Sequence, residues 1–144
     1  MISLNSPLKT PKNKKVEMKN KSLKIIIIDD NIAMTTLLST LLELENFEVI
    51  TINNIFEKNM KQTIKYHNPD AMIIDFHISG SDRLEIVKTI KSDPSLHKIK
   101  VIVASGTNMY KESMRVGADY FIQKPFMPSE LLNNLKLLTT QDGD

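Results

Sequence analysis

At 144 residues, with no cysteine and a net charge of +2, the chain has the length for one domain with its own core. The absence of cysteine excludes a disulfide framework and a thiolate metal site, and no apolar run is long enough to span a bilayer. The N-terminal lysines are followed by no apolar segment, so they do not form a secretory signal, and a cytoplasmic protein is expected.

The charge is unevenly placed. Residues 1–24 carry seven lysines against Glu17, for +6, while the rest of the chain sums to −4. Residues 1–21, with Pro7, Pro11 and no apolar periodicity, read as a disordered basic tail. Such an arm can touch nucleic acid or anionic lipid, but a solvated leader is the simpler reading. A folded domain is expected over 22–140 and a short tail over 141–144.

From Ser22 strand and helix alternate. The first strand is expected at Lys24–Ile28. The first helix follows at about Asn31–Glu45, with Leu37, Leu38, Leu41, Leu42 and Leu44 as its apolar face. A second strand is expected at Phe47–Ile52 and a second helix at Ile55–Tyr66, with Ile55, Met60 and Ile64 inward. Asn68-Pro69 stops that helix, because a residue before proline is pushed out of the helical region. Asp70–Ile74 is the third strand. Helix three, Asp82–Lys91, has Leu84, Ile86, Val87 and Ile90 as its apolar set and a start at Ser81 or Asp82. Lys100–Ala104 is the fourth strand, and Met109–Val116 a short helix stopped by Gly117. Asp119–Ile122 is the fifth strand, and Ser129–Leu138 the last helix, started by Pro128-Ser129-Glu130. The strands are apolar without alternation, as in sheets buried on both faces. The fold class is therefore α/β: a doubly wound (βα)5 sandwich around a five-stranded parallel sheet of flavodoxin-like topology.

Ligand sites in such sheets form outside the carboxyl ends of the strands. Asp29-Asp30, Asp75, Ser105 and Lys124 each stand at or just past the end of an apolar run, so carboxylates, a hydroxyl and an ammonium are expected at one edge. That set suits phosphoryl transfer. A carboxylate can attack phosphorus only when its charge and that of the incoming group are offset, which a hard divalent cation on oxygen ligands achieves. Asp30 is the candidate direct ligand and Asp29 a ligand through water. Asp75 is the candidate nucleophile and shared ligand, and the His77 backbone carbonyl completes the protein's share. Lys124 supplies a compact positive charge to the phosphoryl group. Ser105 donates its hydroxyl, and Gly106 leaves the backbone open. Taken alone, Asp29-Asp30 would be a helix N-terminal acid pair and Ser105 a loop hydroxyl; the ordered set favours the site.

These residues, in this order and spacing, resemble a response-regulator receiver domain of the two-component signalling family, over about residues 22–140. The resemblance implies that Asp75 takes a phosphoryl group from a histidine kinase or histidine phosphotransfer protein, with Mg2+ bound by Asp30 and Asp75. It implies a cis Lys124–Pro125 bond, a Ser105 side chain that moves toward the phosphate, and an aromatic on the fifth strand, here Phe121, that turns inward. The face formed by helix four, strand five and helix five then changes its preference for a downstream protein target, homodimerisation included. A receiver catalyses only its own phosphorylation and dephosphorylation, so it is not an enzyme in the ordinary sense. Only Thr139–Asp144 follow the last predicted helix, so no DNA-binding domain is expected within the chain.

The sequence also departs from the family pattern. Ser79 stands where proline is usual and Arg83 where glycine is usual, and Gly80 offers flexibility elsewhere in that loop. The Ser105–Lys124 connection is short, which predicts a short fourth helix, and Phe121 lacks the hydroxyl of the tyrosine often found there. His77 either faces the site and tunes attack by water or is a solvent-facing loop residue. His67, His97 and the methionines read as ordinary surface or core residues. The alternative function is a receiver-like interaction scaffold that works without phosphorylation. A flavin binder is disfavoured because Asp29-Asp30 has the wrong charge for a phosphate loop. A phosphatase with a nucleophilic aspartate is disfavoured because position 31 is Asn.

Overall fold

A computed structural model describes residues 22–53, 59–76 and 82–140. Its elements are β1 (Lys24–Ile28), α1 (Ile32–Leu44), β2 (Glu48–Ile52), α2 (Met60–His67), β3 (Ala71–Phe76), α3 (Asp82–Ser92), β4 (Lys100–Ser105), α4 (Tyr110–Arg115), β5 (Tyr120–Gln123) and α5 (Pro128–Thr140). The strands form one parallel sheet in the order β2-β1-β3-β4-β5. This is the doubly wound fold that the unalternating apolar runs predict.

Successive strand residues point to opposite faces, and both faces are covered. Ile26, Ile28, Met72, Ile74, Val101 and Val103 pack with Met60 and Ile64 of α2 and Leu84, Val87 and Ile90 of α3. Ile25, Ile27, Ala71, Ile73, Ile102, Ala104 and Ile122 pack with Leu38 and Leu42 of α1 and Leu131 and Leu135 of α5. A fully buried side chain of this size contributes roughly 1.5–3 kcal/mol. The isoleucine-rich strands are therefore the main source of stability.

Several expectations are corrected. Of the five leucines expected on the inner face of α1, Leu38 and Leu42 are buried with Thr35, but Leu37 and Leu44 are 52% and 75% exposed. One inward stripe at helical spacing cannot hold all five, since Leu37 and Leu44 lie well off the line through 35, 38 and 42. Phe47 and Asp70 precede their strands rather than opening them, and so does Asp119. The described second helix starts at Met60 after Asn59, and residues 54–58, including the expected inward Ile55, lie outside the described residues.

The terminators act as read. Asn68 ends α2 in the left-handed conformation at φ 49. Gly117, at φ +103, follows the Val116 cap of α4, and its N–H donates to the Met114 carbonyl at 3.1 Å. A Cβ at Gly117 would also stand 3.0 Å from Lys91 Cγ, so glycine is needed there for conformation and for space. α5 begins at Pro128, a residue suited to the first helical position. α4 has six residues, as the short connection predicts.

Candidate functional site

The site residues reach one edge because the register sends them there. β1 and β3 are neighbours at the centre of the sheet, where the chain switches direction and ligand crevices open. Asp29 follows β1, and its N–H donates to the Ile52 carbonyl at 3.1 Å, which carries the β1–β2 pairing one residue further. Its Oδ1 accepts the Asn31 N–H at 2.9 Å, and Asn31 Oδ1 in turn accepts the Met34 N–H at 3.1 Å as the cap of α1. The strand end and the helix cap together orient the Asp29 carboxylate, which is 1% exposed. Asp30, one residue on in the bend, is exposed.

Asp75 lies inside β3, one residue before its end, opposite Ala104 in β4. It is 2% exposed. The strand thus extends beyond its expected end and holds this carboxylate on rigid backbone. Ser105 closes β4, opposite Phe76 and Gln123, and is also buried. The Lys124 N–H donates to the Ser105 carbonyl at 2.8 Å, which seats Lys124 beyond the last residue of β5. Its Nζ lies 2.5 Å from Asp75 Oδ1, and the Lys124–Pro125 bond is cis. Burial of two carboxylates is costly unless the charge is offset by partners or a bound cation. The Lys124 ammonium is one such partner.

A comparison with protein-family models matches residues 25–136 to the response regulator receiver domain. The chain belongs to that family. Among curated proteins, the receiver is 29% identical over 122 residues to the phosphate regulon transcriptional regulatory protein PhoB of Pseudomonas aeruginosa, covering 83% of this chain and 52% of that protein. It is 31% identical over 116 residues to the transcriptional regulatory protein CpxR homolog of Haemophilus influenzae, covering 80% and 49%. The chain therefore spans about half the length of these relatives. Among solved structures, a response regulator from Thermotoga maritima matches with a TM-score of 0.71 at 22% identity, over 83% of this chain and 98% of that one. The signal receiver domain of a histidine kinase from Syntrophus aciditrophicus matches at 0.73 and 24%, over 83% and 92%. The receiver is thus a component of two-component signalling with the flavodoxin-like fold of its neighbours.

Asp29, Asp75, Ser105 and Lys124 stand at or next to the carboxyl ends of the four neighbouring strands β1, β3, β4 and β5, and Lys124 reaches Asp75. Asp30 does not join Asp29 in burial, because it has already left the strand for the bend before α1. His77 lies outside the described residues, with Ser79, Gly80 and the Ser81 start expected for helix three. Among the described residues, no three acidic or histidine side chains converge closely enough to hold an ion alone. The donor chemistry nevertheless suits a hard cation: Mg2+ keeps several waters and is held through one or two carboxylates rather than a full protein cage. The described part of the edge offers carboxylate oxygens of that type, with no sulfur or imidazole ligand among them.

Phe121 is half-buried against the α2–α3 side of the core. It meets Tyr110 edge to face, with centroids 6.5 Å apart at 77°. Sequence reasoning passes over Tyr110, which opens α4, and over Thr107. Thr107 contacts Ser105 directly: its N–H donates to Ser105 Oγ at 3.2 Å, and the two hydroxyls are 3.2 Å apart. No helix among the described residues is long and apolar enough to cross a membrane. A cavity at the opposite edge, lined by Asn68, Pro69, Pro94, Ser95 and Thr139 among others, is remote from all of these groups.

Proposed function

We propose that the chain is a phospho-accepting receiver whose acceptor is Asp75. The observation that carries this reading is a carboxylate 2% exposed at the carboxyl edge of β3, with the Lys124 ammonium 2.5 Å from Oδ1. The phosphodonor is a histidine kinase or a histidine phosphotransfer protein. An Asp75 oxygen attacks the phosphorus of a phosphohistidine. The new O–P bond forms as the P–N bond breaks, and the imidazole leaves with the electron pair and takes up a proton. Lys124 stabilises the charge on the phosphoryl oxygens, with which its ammonium interacts as a point charge. Ser105 donates its hydroxyl to one of them. Asp30, Asp75 and the His77 carbonyl would hold Mg2+, with Asp29 acting through water, and the ion would supply charge neutralisation there.

The added charge biases a two-state equilibrium in which Ser105 and Phe121 rearrange. Output passes through protein–protein contacts on the α4–β5–α5 face, to a downstream target or a second copy. The domain turns over no separate substrate, acting only on its own acyl phosphate, and a cytoplasmic location belongs to the same reading. Two relatives are named as transcriptional regulators; for this chain the target remains a protein partner.

Incubation with acetyl phosphate and Mg2+, followed by intact mass measurement, tests the reading. One added phosphoryl group is expected, absent from Asp75→Asn and absent without the metal. If neither a phosphoryl group nor beryllofluoride with Mg2+ is taken up, the scaffold reading replaces it.

A further inference from the structure

We infer that Thr107 is a positioning residue: it holds the Ser105 hydroxyl in the resting domain and sets how readily that hydroxyl turns to a phosphoryl group on Asp75. This rests on the reading of Asp75 as acceptor.

Ser105 ends β4 with a buried side chain, whereas Gly106 and Thr107 are exposed. Both hydrogen bonds that the described residues give the Ser105 side chain go to Thr107. The Thr107 N–H donates to Ser105 Oγ, and the two hydroxyls share a second hydrogen bond in which either can donate. Thr107 is exposed, so its hydroxyl can exchange that bond for water. Strand alternation adds a second constraint. Asp75 shares the parity of Ile73, on the α1–α5 face, and Ser105 that of Val103, on the α2–α3 face. The hydroxyl must therefore give up its bond to Thr107 Oγ1 and swing across the edge to reach a group on Asp75. The backbone beside it is open, since a Cβ built at Gly106 meets nothing within 4 Å, and the contact to Thr107 is what retains the hydroxyl.

At 3.2 Å these hydrogen bonds are long and weak. A hold of that strength leaves the hydroxyl retained at rest yet released by a phosphoryl oxygen, which makes a stronger, charge-assisted acceptor. Loss of one neutral hydrogen bond changes an equilibrium by about fivefold. Thr107 is exposed, so its replacement removes the contact without opening the core.

Titration of the whole chain with beryllofluoride and Mg2+, followed by fluorine NMR, gives the test. Thr107→Val, which keeps the N–H and loses Oγ1, is expected to bind the mimic about three- to fivefold tighter. Thr107→Ser restores the hydroxyl and should return affinity to that of the unaltered chain. In a Ser105→Ala background Thr107→Val should change nothing, because the group it restrains is gone. Equal or weaker binding by Thr107→Val, or the same gain in the Ser105→Ala background, overturns the assignment. Failure of the unaltered chain to bind the mimic removes the receiver reading itself. Binding that Thr107→Val leaves unaltered removes only the role of Thr107.

Discussion

Aspartates line both edges of this sheet, and the two edges use them differently. At the amino edge, Asp70 donates its N–H to the Lys24 carbonyl and accepts the Lys24 N–H on Oδ2, both at 2.8 Å. Asp119 repeats the arrangement with Val101, again at 2.8 Å in both directions, and holds Lys91 Nζ at 2.5 Å from Oδ2. Each carboxylate there takes up a strand N–H that the ladder leaves over, and each stays at least partly in water. At the carboxyl edge Asp29 and Asp75 are almost fully buried. Asp75 meets the Lys124 ammonium. A carboxylate that satisfies the sheet is structural. One buried at the other edge, beside a lysine that follows the last strand, is the acceptor we propose.

The strongest way to break the comparison is to damage the amino edge and look for damage at the other. Lys91 Nζ also donates to the Ile99 carbonyl at 2.7 Å and the His97 carbonyl at 3.3 Å, so one ammonium gathers α3, the loop before β4 and Asp119. Lys91→Met should cost about 2–3 kcal/mol in denaturant unfolding, yet leave phosphoryl uptake by the folded protein intact. Asp70→Ala removes an exposed acceptor from the Lys24 N–H and should cost about 1 kcal/mol by the same measurement.

Ser113 sharpens the claim from the other side. It is fully buried in α4, and its hydroxyl has no hydrogen-bond partner among the described residues. Burial without a role is simply a cost, so Ser113→Ala should raise stability by about 1 kcal/mol. The smallest expected effect is a pH dependence at Asp93, beside the amino edge. The Lys61 ammonium at 2.6 Å, helped by Ser95, holds its carboxyl well below the usual carboxylate range. A depressed folded-state value means stability that is present above the unfolded value and is lost as pH falls below it. Asp93→Asn should therefore lower stability slightly at neutral pH, converge with the unaltered chain in acid, and so flatten the acid limb of a stability–pH profile.

The carboxyl edge was legible in the sequence because chemistry and pattern coincide there. Asp29, Asp75, Ser105 and Lys124 stand at or just past the ends of the apolar runs that strand burial demands, so a polar residue at each of those points needs a reason. The amino edge was not legible. Asp70 and Asp119 also border apolar runs, and only the register of neighbouring strands shows that they close ladders and precede β3 and β5 rather than belong to them. Leu37 and Leu44 misled because five leucines overfill one helical stripe. Thr107 was invisible because its contact depends on the turn after β4. Tyr110 was invisible because its partner lies on another element. Asp29 and Asp30 are equivalent as letters and separate only where the strand ends.

Whether Asp75 alone among these aspartates is chemically set apart can be read directly. The chain is phosphorylated with acetyl phosphate and Mg2+, the acyl phosphate is reduced with borohydride, and the resulting homoserine is located by peptide mass mapping. The account predicts homoserine at position 75 and at no other aspartate. Homoserine at Asp29, Asp30, Asp70 or Asp119, or its absence throughout, would contradict it.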